Sequence, residues 1–299
     1  MNGILPLWKE RGLTSHDCVM RLRKILKMKA IGHTGTLDPE VEGVLPICIG
    51  RATKVAAYLT DSPKEYEAQV TIGTATETED QTGEIIEKTE DVPWIDKKEI
   101  LAVLQTFVGE ITQVPPMYSA VKVNGKRLYE YAREGKIVKR PERKVTIYNI
   151  SLISDPFKDN DGFHFSIKVK CSKGTYIRTL CVDIGKTLGY PSHMSKLVRT
   201  KAGGFDISHT MTLEEVKQKL EENKLEESLY PMDRGVEHLP FLKVNETVQK
   251  QVMNGRVLPI PENIPKSDPF RMIGVDGTTI ALYQRHPEKQ GLIKPVRVF

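Results

Sequence analysis

The sequence predicts an α+β fold in which a mixed, mainly antiparallel central sheet is flanked by helices and loops. Helical and strand patterns follow one another without the strict alternation of a doubly wound fold, which favours a mixed sheet. Apolar and charged residues make up 39% and 28% of the 299 residues, which is ordinary for a globular protein and excludes disordered and fibrous classes. After Pro231 the pattern becomes short, with a small helix, a proline-rich loop and two or three strands. We therefore expect a large domain at 1–232 and a small β-rich domain at 233–299.

The first hundred residues alternate short strands and helices around one glycine-rich loop. Ser15 is a candidate N-cap for a helix that runs to about Lys27, because serine side chains accept from free amides at helix starts. The alternation of apolar and polar residues from Tyr66 to Ile72 has the period of a half-buried strand. The predicted elements are, in order, a strand Ile4–Trp8, the helix from Ser15, a strand Val44–Ile49, a helix Thr53–Leu59 and the strand containing Tyr66.

The next part of the chain carries clear start and stop signals. Asp96 and Glu99 have the spacing of a capping box, and Gly109 closes the helix that follows. Asn124-Gly125 between two short runs is typical of a tight hairpin turn. The predicted elements are, in order, a helix from Asp96 to Phe107, a hairpin Ala120–Leu128, a short helix Tyr129–Glu134, strands Val145–Ser154 and Phe163–Cys171, a helix Tyr176–Leu188, and a helix Leu213–Glu227.

The sequence lacks the motifs that are typical of several functional classes. The longest stretch without Asp, Glu, Lys or Arg is Ile111–Val121, which is too short to cross a bilayer. The four cysteines (Cys18, Cys48, Cys171, Cys181) have no zinc spacing and are predicted to be buried in a reducing compartment. No phosphate-binding loop, dinucleotide fingerprint, nucleophile elbow or metalloprotease motif is present. We expect a cytoplasmic protein without membrane segment, cofactor or metal.

One carboxylate is a candidate catalytic group. Asp38 lies in the loop Gly32-His33-Thr34-Gly35-Thr36-Leu37-Asp38-Pro39. Glycines allow a backbone to approach a ligand closely, and Pro39 restricts Asp38 to an extended geometry. An Asp-Pro pair in such a loop is more often a simple turn, so the pattern alone leaves the role of Asp38 open.

Two further segments are informative. Arg178 follows the turn Ser172-Lys173-Gly174 at a predicted strand-to-helix junction, where it could pair with a carboxylate or be an ordinary surface arginine. Between Lys122 and Lys144 there are nine Lys/Arg against three Glu, interleaved with Tyr129 and Tyr131. Such a surface can hold phosphates and stack on bases, although a solvated helix face has a similar composition.

Five blocks of sequence resemble one family in order and spacing. They are GILPLWKERGLTSHDCVMRLRK, GHTGTLDPEVEGVLPICIGRATK, KEYEAQVTIG, VPPMYSAVKVNGKRLYEYAREG and KVKCSKGTYIRTLCVDIG. The chain from about Gly3 to Arg199 is similar to the bacterial TruB family of tRNA pseudouridine synthases. The resemblance implies a pseudouridine synthase fold and conversion of uridine 55 in the tRNA T loop to pseudouridine.

The resemblance also implies roles for individual residues. Asp38 matches the family's catalytic aspartate, and Arg178 matches the arginine that pairs with it. His33 matches the histidine that helps the target base leave the T loop. Tyr66 matches the tyrosine that stacks on the flipped base. The remaining matches are Tyr176 beside the active site, Leu197 in the base pocket, and Lys9 of the N-terminal motif, where Glu10 replaces the usual proline.

The implied reaction breaks the N1–C1′ bond, turns the detached uracil and rejoins it through C5. Because nothing is hydrolysed, oxidised or reduced, the resemblance implies neither a cofactor nor a metal. Three roles remain open for Asp38 at this stage: attack on C1′, addition to C6, and removal of a proton from C2′.

Binding expectations follow from the same resemblance. An insertion at about 114–144 corresponds to the family's element that closes over the T stem-loop, and residues 233–299 occupy the place of a small PUA-like RNA-binding domain. The implied partner is tRNA without a guide RNA, bound by a monomer. The main alternative is a tRNA-folding chaperone in which modification is secondary; a guided relative would lack the insertion. The RNA-contacting residues expected are Lys122, Lys126, Arg127, Arg133, Lys139 and Arg140.

Overall fold

The computed structural model describes residues 1–299. Its seven α-helices are α1 (Ser15–Leu26), α2 (Ala56–Asp61), α3 (Lys97–Thr106), α4 (Leu128–Arg133), α5 (Ile177–Leu188), α6 (Leu213–Glu221) and α7 (Glu246–Met253). The strands are β1 (Gly3–Lys9), β2 (Ile31–His33), β3 (Glu42–Ile49), β4 (Lys64–Ile72), β5 (Thr74–Thr76), β6 (Ile85–Lys88), β7 (Gly109–Gln113), β8 (Lys122–Val123), β9 (Lys126–Arg127), β10 (Arg143–Leu152), β11 (Phe157–Asp159), β12 (Gly162–Cys171), β13 (Ser192–Ala202), β14 (Phe205–Asp206), β15 (Phe241–Lys243), β16 (Leu258–Pro259), β17 (Phe270–Ile273), β18 (Thr279–Arg285) and β19 (Leu292–Val298).

The central sheet has the order β1-β3-β13-β4-β12-β10-β7, with β2, β11 and β14 paired at its margins. Every pairing in it is antiparallel except β3 with β13. The expected α+β class with a mixed, mainly antiparallel sheet is confirmed. Strand β4 lies at the centre, and its long pairings with β12 and β13 set the position of Tyr66.

Two apolar cores attach helices to different parts of this sheet. Helices α3 and α5 pack over β4, β10 and β12, where Ile100, Leu180 and Phe165 are fully buried. Helices α1 and α6 pack over β1 and β3, burying Leu22 and Val216. The opposite side of β4 and β12 is partly exposed, and Lys168 is paired there with Glu67.

Several predicted boundaries were wrong for local reasons. Thr14, not Ser15, caps α1, since its hydroxyl accepts from the Asp17 amide while Asp17 bonds back to the Thr14 amide. Helix α6 ends at Glu221 and does not reach Glu227, because Asn223 has a left-handed φ of 57°. The helix expected at Thr53–Leu59 begins as a 3-10 turn and becomes α-helical only from Ala56.

The second sheet has five strands in the order β15-β17-β18-β19-β16, where two or three strands were expected. It shares an apolar core with the central sheet, because Leu282 and Phe299 pack together with Ile4 and Val44. The Lys54 ammonium also donates to the Val298 carbonyl at 2.9 Å. The two sheets are therefore joined by a continuous core.

The segment at about 114–144 forms a small lobe of its own. Strands β8 and β9 pair as the expected hairpin, with Asn124 and Gly125 at φ values of 50° and 83°. Positive φ at both central residues is the geometry of a type I′ turn. Helix α4 follows directly and buries Leu128. No helix in the structure is both long and apolar enough to span a membrane.

The parallel contact between β3 and β13 depends on a glycine. A Cβ at Gly43 would lie 2.3 Å from the Arg199 carbonyl oxygen, and Gly43 has a φ of 126°. We expect Gly43→Ala to lower the free energy of unfolding by about 3 kcal/mol or more, from overpacking together with backbone strain. Urea denaturation measures this loss.

Gly109→Ala is the matched control. Gly109 has a similar φ of 107° but nothing within 4 Å of an added Cβ, so only strain of about 1–2 kcal/mol is expected. Equal losses in the two variants would contradict the close approach of β3 to β13.

Candidate active site

A cavity of about 990 Å³ opens where the central sheet meets the small lobe. Four parts of the chain enclose it: the loop after β2, the segment before β8, the N-terminal end of α5, and the facing parts of β4 and β13. Residues far apart in sequence meet here, and the cavity wall includes His33, Asp38, Tyr66, Tyr176, Arg178 and Leu197.

The loop that carries Asp38 is fixed from beneath. The Ser15 hydroxyl accepts from the Leu37 amide at 2.8 Å and lies 3.3 Å from the Leu37 carbonyl. The Pro39 carbonyl accepts from the Gly12 amide at 2.9 Å, and the Asp38 carbonyl from the Val41 amide at 3.1 Å. Side-chain and backbone bonds thus hold both flanks, while the Asp38 carboxylate itself is 43% exposed to the cavity.

Arg178 is buried beneath this carboxylate. Its Nη2 lies 3.0 Å from Asp38 Oδ2 and also donates to the Tyr118 carbonyl at 2.9 Å. Its Nη1 donates to the Thr78 carbonyl at 2.9 Å. The arginine is 6% exposed, so it is not an ordinary surface residue. A buried, multiply bonded guanidinium fixes the carboxylate it contacts in position.

Asp80 is a site residue that the sequence analysis missed. Its Oδ2 lies 3.8 Å from Arg178 Nη1, on the opposite end of the guanidinium from Asp38. Its Oδ1 accepts from the Thr78 and Thr82 hydroxyls at 2.7 and 2.6 Å, which locks it into the turn between β5 and β6. The signal available in the sequence was the acidic run Glu77–Asp80.

The neighbouring Glu79 is directed into the protein. Its carboxylate accepts from the Thr179 hydroxyl at 2.7 Å, on the first turn of α5. Burial raises the pKa of the Glu79 carboxyl. The turn between β5 and β6 is therefore attached to α5 through Glu79 and Asp80.

Tyr66 and Leu197 face the cavity from adjacent strands. Tyr66 of β4 is paired in register with Arg199 of β13, and Leu197 is paired with Ala68. Burial raises the pKa of the Tyr66 phenol, so it is un-ionised at neutral pH. An uncharged aromatic ring on a central strand is a rigid surface on which a base can stack.

His33 and Tyr176 form two more parts of the wall. Burial lowers the pKa of the His33 imidazole below its ordinary value of 6.5, so it is mainly neutral at pH 7. The Tyr176 backbone is bonded at both its amide and its carbonyl to the Gln113 side chain, at 3.0 and 3.1 Å. Gln113 is itself 1% exposed, which makes the start of α5 rigid.

Lys9 was expected among the substrate-binding residues, and the structure corrects this. It is 0% exposed and does not reach the cavity. Its ammonium donates to the Val41 and Pro39 carbonyls at 2.6 and 3.1 Å. Because these residues directly follow Asp38, Lys9 supports the loop instead of contacting a ligand.

The basic residues of the small lobe divide into two groups. Lys122, Arg127, Arg133 and Lys139 are exposed, and the first two also line the cavity. Lys126 is paired with Glu134, and Arg140 donates to the Pro115 carbonyl at 3.0 Å and lies 3.9 Å from Glu79. The geometry supports Lys122 and Arg127 as ligand contacts better than it supports Lys126 and Arg140.

Comparisons with known proteins agree with this geometry. A family model described as TruB family pseudouridylate synthase (N terminal domain) matches residues 23–177, and one described as tRNA pseudouridylate synthase B C-terminal domain matches residues 178–237. The tRNA pseudouridine synthase B of Oceanobacillus iheyensis is 54% identical over 300 residues, covering 100% of this chain and 98% of that protein. The same enzyme of Staphylococcus saprophyticus is 53% identical over 303 residues, covering 100% and 99%.

Solved structures with the same fold come from larger assemblies. A chain in a Cbf5-Nop10-Gar1 complex has a TM-score of 0.73 and 29% identity, covering 99% of this chain and 83% of that one. A chain in an H/ACA RNP bound to a substrate RNA containing 2′-deoxyuridine has a TM-score of 0.74 and 27% identity, covering 99% and 84%. The similarity extends over nearly the whole chain.

We expect the Ser15 hydroxyl to stabilise the loop that carries Asp38, and not helix α1. Ser15→Ala should cost about 1–2 kcal/mol of stability and speed hydrogen exchange of the Leu37 amide, while α1 stays protected. Thr14→Ala should give the reverse pattern, with faster exchange in the first turn of α1 because its cap is lost. Amide exchange measured by NMR distinguishes them, and unchanged exchange at Leu37 in Ser15→Ala would contradict this role.

Proposed function

Since the chain belongs to the TruB family of pseudouridylate synthases, we propose that it isomerises uridine 55 in the T loop of tRNAs to pseudouridine. The observation that carries this proposal is the carboxylate of Asp38, half-exposed in a cavity and paired at 3.0 Å with the buried Arg178. The names of these relatives give tRNA as their substrate, and the T-loop position comes from the sequence resemblance.

The target uridine reaches Asp38 only after it leaves the stacked T loop. Extrusion of a base costs a few kcal/mol, and stacking on an aromatic ring returns about 1–3 kcal/mol. Tyr66 supplies that ring, and Leu197 provides the apolar contact on the adjoining strand. Neutral His33, at the cavity wall, occupies the position vacated by the base in the T loop.

Asp38 then acts on the sugar or the base of the extruded nucleotide. The Arg178 guanidinium holds the carboxylate in position and directed into the cavity, and Asp80 holds the other end of that guanidinium. Tyr176, fixed by Gln113, closes the same side of the cavity. After the N1–C1′ bond breaks, the enclosed base can turn and rejoin through C5 without escaping.

The rest of the chain grips the RNA outside the cavity. The small lobe at about 114–144 holds the T stem-loop, with Lys122 and Arg127 nearest to the target. The domain at 233–299 is a PUA-like domain that contacts the tRNA farther from the T loop. Two of the structural neighbours belong to H/ACA assemblies. This chain has a basic lobe of its own for binding RNA, so it acts as a monomer without guide RNA. We place it in the cytoplasm with its tRNA substrates.

Asp38→Asn tests the assigned role of the carboxylate. The variant should fold and bind a T stem-loop transcript with unchanged affinity, but lose pseudouridine formation by at least about 10⁴-fold, because an amide neither attacks nor accepts a proton. Release of tritium from C5-labelled uridine measures turnover. Undiminished turnover would overturn the assignment.

Asp155→Asn is the matched control, since Asp155 is paired with Lys97 at 2.8 Å but lies on the exposed surface. It should retain wild-type turnover. Rescue of misfolded tRNA by Asp38→Asn, at the wild-type rate, would show that the same protein also acts as a folding chaperone, which the basic lobe favours.

Lys122 and Arg127 are expected to contact phosphates. Changing both to glutamine should weaken RNA binding similarly for all T-arm sequences and reduce the slope of log K against log salt by about 1–2. Lys126 and Arg140 changed to glutamine form the control pair and should alter the slope less, because each of these side chains lies next to a carboxylate of the protein, Glu134 and Glu79. Equal slopes in the two double variants would contradict the proposed contact surface.

A further inference from the structure

Buried cations surround the cavity, and they differ in how their charge is balanced. Arg178 is paired with Asp38 and Asp80. Arg199 and Lys64, which are 1% and 6% exposed, have no carboxylate within ion-pair distance. Burying a charge without a partner of opposite sign is costly, so such residues call for an explanation beyond packing.

Backbone carbonyls, and no carboxylate, accept hydrogen bonds from both side chains. Arg199 donates from Nε to the Val44 carbonyl at 2.8 Å and from Nη2 to the Gly35 carbonyl at 3.3 Å. The Lys64 ammonium donates to the carbonyls of Thr60 and Ser62. Carbonyl dipoles fix the positions of these groups but leave their net positive charge uncompensated.

The two cations flank the ring of Tyr66 in the cavity wall. Arg199 is the partner of Tyr66 on the neighbouring strand, and its charge acts directly on the phenol. Lys64 and Tyr66 lie two residues apart on β4, on the same face and about 7 Å from each other. Both cations line the cavity together with Tyr66, so a base stacked on Tyr66 lies near them.

We propose that Arg199 and Lys64 stabilise the negative charge that the uracil acquires when its bond to C1′ breaks. This inference rests on the proposed function. The electron pair of the N1–C1′ bond stays with the uracil, while Asp38 either bonds to C1′ or takes the C2′ proton. In both cases one negative charge moves from Asp38 to the base. Addition of Asp38 to C6 likewise places the charge on the base, so the cations serve every role considered for Asp38.

The movement of charge explains why the cations have no carboxylate partners. Fixed charges in a poorly solvated site act strongly on charge that develops during a reaction, and they need no reorganisation at that moment. A carboxylate beside Arg199 or Lys64 would cancel this effect. Arg178, by contrast, is paired with the reactant carboxylate of Asp38.

The variant Lys64→Met tests whether Lys64 stabilises the detached base. It is compared with wild type under single-turnover conditions, on T stem-loop RNAs that carry uridine or 5-fluorouridine at the target position. Fluorine withdraws electrons, so the detached base needs less stabilisation from outside. Lys64→Met should slow uridine consumption by at least about tenfold and 5-fluorouridine consumption by less than about threefold. Equal slowing of the two substrates would mean a structural role and overturn the inference.

Lys54→Met is the matched control. Lys54 is also a half-buried lysine that donates to a carbonyl, but it lies outside the cavity, so both rates should stay within about twofold of wild type. If the wild-type protein forms no pseudouridine in the uridine RNA, the proposed function fails and the inference fails with it. Active wild type with equal slowing in Lys64→Met overturns the inference alone.

A pH profile of Lys64→Arg provides a second test that does not require the methionine variant to fold. Burial lowers the pKa of Lys64 to about 8. The charged groups that face it are Arg199, Asp61 and Lys173, and the nearby Cys171 thiol has a pKa raised to about 11, so it does not titrate in this range. The wild-type rate on uridine should fall as pH rises through about 8, because Lys64 then loses its charge, while Lys64→Arg should keep its rate. A decline of the same size in both proteins would overturn the inference.

Discussion

The guanidinium of Arg178 is buried at the floor of the cavity, and three separate parts of the chain are attached to it. It contacts Asp38 and Asp80 and donates to the carbonyls of Thr78 and Tyr118. Those partners come from the loop after β2, the turn between β5 and β6, and the segment that leads into the basic lobe. The site therefore depends on one buried cation at the start of α5, because its hydrogen-bond geometry fixes where each part lies.

Much of the framework could be predicted from the sequence, because period-2 and capping patterns identify β4, β12, α3 and α5. The least predictable strand was β13, since its buried positions include His193 and Arg199, whose polarity hides the alternation. Asp80 and the loop contact of Ser15 could not be predicted either, as both are defined by partners distant in sequence. The sequence around Asp38 is typical of a simple turn, and only the family resemblance indicated a catalytic role for this residue.

The buried cations of the cavity differ in their partners. Arg178 lies between two carboxylates, whereas Arg199 and Lys64, near Tyr66, have no carboxylate within ion-pair distance. Lys9 supports the loop that carries Asp38 through carbonyls alone. This arrangement suits a reaction in which negative charge moves across an enclosed nucleotide, and it explains why so many cations are buried without being neutralised.

The most direct test of this account is a crystal structure of the protein with a T stem-loop that carries carbocyclic uridine at the target position. This analogue lacks the sugar ring oxygen, so its base does not detach. We expect the base to be extruded and stacked on Tyr66, with an Asp38 carboxylate oxygen about 3–3.5 Å from C1′, C2′ or C6. A target base that remains stacked in the loop, or that binds with Asp38 more than about 6 Å from all three atoms, would contradict it.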